Sequence, residues 1–252
     1  MTGRPSTVPE LLARMGALLA PLETSGDQRR HFLAMYRRTT IAVDAEIRRG
    51  GFIDAPWLER WDVVFAGLYL DALEQWNDSG TAPEPWAVTF RAAEDTQRLP
   101  PLRHVLLGMN AHVNYDLPQS LLATITDHEF ADPALVSRRG RDHERIDGIL
   151  ASRVDAEDRE LLAVEEPGDR TWLDRALKPF NHAGTKRFLR EARGKVWRNA
   201  QLLAAARQAG PEVFAERLRE LEALSGEKVA DLRRPGQVIL RLAVGGFGVE
   251  LR

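Results

Sequence analysis

No cysteine occurs among the 252 residues, which excludes disulfides, thiolate nucleophiles, iron–sulfur clusters and cysteine-ligated zinc. No run of about 18 apolar residues is present, so a helical membrane span is not expected. Neither sign of charge prevails: 35 basic side chains stand against 37 acidic ones, a formal net charge of −2. That balance argues against a dedicated nucleic-acid binder, and no nucleic-acid partner is expected. A Gly-rich phosphate loop, a G-x-S-x-G elbow, an H-E-x-x-H pair and a dinucleotide fingerprint are all missing, and with them any case for a nucleotide cofactor. The start, Met1-Thr2-Gly3-Arg4-Pro5, carries no apolar signal-peptide core, and the expectation is a cytoplasmic protein with no membrane partner.

Helical periodicity dominates what is there. Leu11, Leu12, Met15, Leu18 and Leu19 recur at three- and four-residue steps behind Thr7, a suitable N-cap. Further helices are expected from about Asp27 to Arg49, Pro56 to Asn77, Trp86 to Arg98 and from Leu102 onward, then over 133–163, from Thr185 to Gln208 and from Pro211 to Leu232. Turn residues place loops at Asp78–Pro83 and near Pro167-Gly168-Asp169. The expectation is an all-α fold, one helical-bundle domain over residues 1–252 with about eight helices. The apolar, β-branched run Val238–Val244 followed by Gly245-Gly246 leaves 236–252 open between a small C-terminal β-hairpin and a flexible tail.

Residues 101–118 carry the strongest chemical signal. At about 100° per residue, Leu102, Val105, Leu106, Met109, Val113 and Leu117 make one apolar stripe, and His112 and Asp116, four residues apart, share its flank. A polar pair turned toward a core calls for hydrogen bonding, pairing or metal binding. Asn110 and Asn114 repeat the spacing on the other flank, where bridging of neighbouring helices is the plainer role. His104 projects away from the stripe. Pro118 removes a backbone donor, so the helix either ends there or continues with a kink. Asp62 and Tyr69 share a face of their helix, whereas Asp71 projects to the opposite, solvated side. Asp142 aligns with Ile146 and Ile149, and Arg193 and Trp197 lie near the apolar side of theirs. The basic run Arg138, Arg139, Arg141 and Arg145, interrupted by Asp142 and Glu144, reads as a solvated surface.

Two chemistries follow from these residue types. In one, His112, Asp116, Asp62 and Asp142 hold one divalent metal ion that activates water, as in a metal-assisted hydrolase. In the other, which needs no metal, His112 and Asp116 work as a general acid–base pair while Tyr69 or Arg193 stabilises negative charge, as in an isomerase, cyclase or lyase of specialised metabolism. The expected partner is a small apolar or amphipathic molecule walled by tryptophans. The third reading is a non-catalytic binding or interaction module. The sequence sets no oligomeric state.

Two segments, Asp62-Val63-Val64-Phe65-Ala66-Gly67-Leu68-Tyr69-Leu70 and Gly108-Met109-Asn110-Ala111-His112-Val113-Asn114-Tyr115-Asp116-Leu117, resemble a bacterial family catalogued only as a domain of unknown function. Its members share D-V-x-F-A-x-x-Y-L and G-M-N-A-H-x-N-x-D-L segments, a later D-x-x-x-[IV]-N-x-x-L and an A-R-x-x-x-W helix. The last two correspond to Asp142–Leu150 and to Ala192-Arg193 with Trp197. The resemblance spans most of residues 30–205 and implies site roles for Asp62, Tyr69, Asn110, His112, Asn114, Asp116, Asp142, Arg193 and Trp197. This chain departs from the pattern at Asp147, where asparagine is usual, and at Arg103, where glutamine is common. The family brings no established reaction.

Overall fold

The computed structural model describes residues 4–96, 99–146, 149, 178–234, 236 and 238–252, with backbone alone at 178–190, 239, 240, 243 and 244. The described residues are helical, with no strand among them. In chain order the helices are α1 (Val8–Ser25), α2 (Arg30–Arg48), α3 (Ala55–Ser79), α4 (Glu84–Glu94), α5 (Pro101–Ala111), a π-helical turn (His112–Asp116), α6 (Leu117–Thr124) and α7 (Asp127–Ala131). They continue with α8 (133–146), α9 (Lys178–Ala209), α10 (Pro211–Arg233) and α11 (Val238–Gly245). No described helix is long and apolar enough to cross a membrane.

Local chemistry sets the helix ends. Thr7 accepts from the Glu10 N–H, and the Glu10 carboxylate in turn accepts from Ser6, so α1 starts with its orphan donors satisfied. The Asp54 side chain caps α3 through the Trp57 N–H at 3.1 Å. Gly26 and Gly80 end α1 and α3 at φ 70° and 68°, a backbone region that other residues rarely enter. The apolar faces then pack: Val8, Leu11 and Met15 of α1, Trp57, Leu58, Leu70 and Leu73 of α3, and Trp86 and Phe90 of α4 are almost fully buried. Each such side chain contributes about 1.5–3 kcal/mol.

The rod that follows Pro100 is central to the packing. Its α5 part lies against α2, α4 and α10, and its α6 part against α3 and α9. It does not end at Pro118. The chain widens to a π turn over His112–Asp116, where the Leu117 N–H reaches back to the His112 carbonyl, and then runs on as α6. A wider turn accommodates a missing proline N–H without ending the helix, and such π turns recur at functional sites. Gly108 makes the α2–α5 approach close: a Cβ there would fall 2.4 Å from Cγ of Phe32.

The chain end departs from both sequence expectations. Val238–Gly245 is a helix rather than a hairpin strand, because Val238 and Leu242, one turn apart, both bury in the core. Gly246 at φ 67° breaks that helix, and residues 247–251 then run across the rod instead of fraying. Asn114 binds this run at both of its amide atoms, donating to the Phe247 carbonyl at 3.0 Å and accepting from the Val249 N–H at 3.1 Å. Asn199 does the same one step on, with the Val249 carbonyl and the Leu251 N–H. Of the long helix expected over 133–163, only 133–146 and 149 are described; Asp147, Leu150 and the break near Pro167 lie outside the described residues.

Candidate functional site

The π turn holds the most unusual polar arrangement. His112 and Asp116 are 3% and 1% exposed. The imidazole Nδ1 lies 2.8 Å from the Asp116 Oδ2, and the same oxygen accepts the Trp86 indole N–H at 2.9 Å. Aromatic rings enclose the imidazole: Phe65 stacks on it at 3.7 Å and 7°, and Tyr36 meets it edge-on at 4.6 Å. Its other nitrogen, Nε2, is buried with no hydrogen-bond partner.

Burial governs the charge of this pair. Loss of water pushes the Asp116 carboxyl well above the usual carboxylate range and the His112 imidazole well below its ordinary value, so a charged pair member is disfavoured on both sides. The two titrate as one unit. In the uncharged state the carboxyl proton sits toward Nδ1, and Nε2 carries a hydrogen. Losing one proton from the pair turns Nε2 into an acceptor. Asp116 therefore decides whether Nε2 donates or accepts.

A cavity of about 90 Å³ lies beside His112, lined by residues of α2, α3, α5, the π turn, α6, α8 and α9, among them Tyr36, Asp62, Phe65, Met109 and Arg193. Its surface is almost wholly apolar. Three buried polar atoms without partners belong to its lining residues: His112 Nε2, Asp62 Oδ2 and Tyr36 Oη. The remaining polar side chains there are engaged. Thr39 and Thr40 donate to the carbonyls of Met35 and Tyr36, and Arg193 donates to the His143 carbonyl. Burial, with help from Asp44 and Glu59, lifts the Asp62 carboxyl to about 7. Burial first, then Asp62 and Asp116, drives the Tyr36 phenol upward, so it stays protonated.

The sequence-selected residues divide. His112, Asp116, Asp62 and Arg193 gather at this cavity or directly behind it. Asp142, also fully buried, does not: its two oxygens accept the backbone N–H groups of Ile53 and Asp54 at 2.7 and 2.8 Å, anchoring α8 to the loop before α3. Among the described residues no three His, Asp or Glu side chains come together as a metal-holding group. With both Asp142 oxygens spent on backbone and the Asp116 Oδ2 spent on Trp86 and His112, the expected four-residue donor set is not assembled. Tyr69 packs against Trp86 at 4.6 Å and borders a separate, smaller pocket with Arg29 and His104. Trp197 packs on His143. Asn110 donates to the Leu106 carbonyl and accepts from Asn114, so both asparagines are occupied structurally.

A profile described as "Family of unknown function (DUF5995)" matches residues 8–235. The chain belongs to this family. No curated protein and no solved structure matches it. In this member of the family the basic run read as a solvated surface needs correction at Arg139, which is 6% exposed, pairs with Asp54 and Glu129, and lies over the Trp57 ring at 4.6 Å. His104, turned away from the apolar stripe, is also buried, 3% exposed, under a stacked His31 ring 6.1 Å away. Asp71 stays partly exposed and accepts from Arg4 and Arg14. Arg103 donates to the carbonyls of Leu232, Arg234 and Gly236 and so closes the end of α10. Tyr36 was missed. Its signal is a phenol on the apolar face of α2, which sequence alone reads as a packing residue.

Proposed function

We propose that this protein is an acid–base enzyme acting on a small, largely apolar molecule, with Asp62 and His112 as the two groups that move or hold a proton. One observation carries the reading: Asp62 Oδ2 and His112 Nε2 are both buried, both without a partner, and both borne by side chains lining the same aromatic cavity. Buried polar atoms are nearly always satisfied, and exceptions call for a ligand or a chemical role. A carboxyl with a pKa of about 7 is suited to exchanging protons near neutral pH. Asp116, fixed by Trp86, sets the hydrogen on His112 and is a positioning residue. The cavity is smaller than the ~150 Å³ apolar cavity that takes up benzene, so it admits a group of a few non-hydrogen atoms.

The test is deuterium wash-in. The full chain is incubated in D₂O with a panel of small carbon acids (short ketones, aldehydes and nitroalkanes), and carbon-bound deuterium is read by NMR. Protein-dependent exchange that falls at least 100-fold in both Asp62→Asn and His112→Gln supports the reading. Binding of panel members without exchange would replace it with the binding-module reading, which the apolar lining also favours.

A further inference from the structure

We infer that the cavity recognises a carbonyl oxygen and that Tyr36 is the residue that does so, its hydroxyl donating to that oxygen beside the Nε2 edge of His112. The inference rests on the acid–base reading and adds a substrate class to it: a small neutral ketone or aldehyde, or the carbonyl end of a longer apolar compound.

Tyr36 is 6% exposed and its Oη has no hydrogen-bond partner. Phenylalanine would fill the same space without burying an unpaired hydroxyl, so the oxygen works against the unliganded fold. Its neighbours do not relieve it. The Thr40 hydroxyl, one turn on, is spent on the Tyr36 carbonyl, and Thr39 is spent on Met35. The nearest polar ring is His112, whose centroid lies 4.6 Å from that of Tyr36. In the uncharged His112–Asp116 pair, Nε2 also bears a hydrogen, so two donors carried by adjacent rings of the cavity wall lack an acceptor.

A carbonyl oxygen matches that deficit. It offers two lone pairs and brings no donor of its own. A ligand carboxylate would place another negative charge near Asp62 and Asp116, away from water, and a hydrocarbon would leave all three atoms unpaired. With a carbonyl held there, Asp62 has a task. Its carboxylate takes a proton from the carbon beside the carbonyl, the C–H electron pair becomes the new C=C bond, and the carbonyl π pair moves onto oxygen. The Tyr36 and His112 hydrogens stabilise that oxygen. Return of the proton from Asp62 to carbon closes the cycle with no oxidant or reductant.

Butanone, 2-methyl-1-butene and 2-butanol test this, because they share a size and differ in the group at one carbon. Each is titrated into the full chain and into Tyr36→Phe, with histidine and tyrosine side-chain NMR signals as the readout. We expect butanone to bind the wild type at least fivefold more tightly than the alkene. Tyr36→Phe should erase that preference and leave alkene affinity within twofold. The inference is overturned by butanone binding no better than the alkene, by a preference that survives in Tyr36→Phe, by 2-butanol binding more tightly than butanone, or by no binding at all. The wild-type comparison stands even if the variant fails to fold. Deuterium exchange into butanone separates this inference from the reading beneath it. Tyr36-dependent binding without exchange keeps carbonyl recognition and removes the acid–base function. Exchange undiminished in Tyr36→Phe keeps the function and removes Tyr36 from it.

Discussion

The Asp116 Oδ2 accepts the Trp86 indole N–H at 2.9 Å and faces His112 Nδ1 at 2.8 Å, so one oxygen ties α4 to the protonation state of an imidazole in the π turn. Trp86, His112 and Asp116 are all shut away from water, which disfavours a charge on that carboxyl. The carboxyl is therefore costly to bury and informative to replace.

Asp116→Asn and Asp116→Ala should separate in a way that reveals its role. Asparagine with its amide oxygen in the Oδ2 place accepts from the Trp86 indole and from the Nδ1–H tautomer of His112, so stability should change by about 1 kcal/mol or less. Deuterium exchange should nevertheless fall at least 100-fold, because Nδ1 then holds the ring hydrogen and Nε2 has none to offer the carbonyl oxygen. Alanine leaves the indole N–H and Nδ1 unpaired in the core and should cost about 3 kcal/mol. Urea unfolding of both variants, run beside the exchange assay, gives the comparison. Equal loss of stability in the two would mark Asp116 as a packing residue.

Much of this arrangement was readable from spacing, and the failures have physical causes. The i, i+4 relation of His112 and Asp116 fixes a shared face in either α or π winding, so that pair was visible. Asp62 was visible through its place on the buried face of α3. Asp142 was correctly turned inward, but periodicity reports the direction of a side chain and not what meets it, and what meets it is backbone. Tyr36 was invisible for the same reason. A phenol on an apolar face looks like packing until its hydroxyl is seen to lack a partner. The chain end was misread because β-branched residues favour strands only where a neighbouring strand exists. Here Val238 and Leu242 find the helical core first.

Gly108→Ala should be destabilising through a clash. The added Cβ would meet Cγ and Cβ of Phe32 at 2.4 and 2.9 Å, and a helix backbone on one side and a buried ring on the other leave little room to relax. Overpacking of this kind costs about 1–3 kcal/mol. Because Phe32 also lines the cavity, butanone affinity should fall with it. Thermal unfolding should show a loss of several degrees; an unchanged midpoint would mean that α2 is free to slide.

Asp142→Ala distinguishes an anchor from a metal ligand. Removing the carboxylate orphans the Ile53 and Asp54 N–H groups and should lower stability by about 2–4 kcal/mol. Added Zn²⁺ or Mg²⁺ should raise the melting temperature of neither the variant nor the wild type. A metal-dependent rise in the wild type that the variant has lost would restore Asp142 to a metal site.

Asp62→Asn should stabilise the protein, and only at higher pH. The folded-state pKa of about 7 lies above the ~3.9 of an unfolded aspartate, so between those values the native state binds the extra proton. Stability of the wild type must then fall as pH rises through that window, by on the order of 4 kcal/mol at ~1.4 kcal/mol per pKa unit. Asparagine carries no such penalty. Near pH 4 the two proteins should unfold at similar urea concentrations, because protonated Asp62 and asparagine are both uncharged. At pH 8 the variant should be the more stable by a few kcal/mol while deuterium exchange is lost. A residue that weakens the fold at working pH and is needed for turnover is retained for chemistry; a variant less stable than wild type at pH 8 would instead assign the Asp62 carboxylate a structural partner.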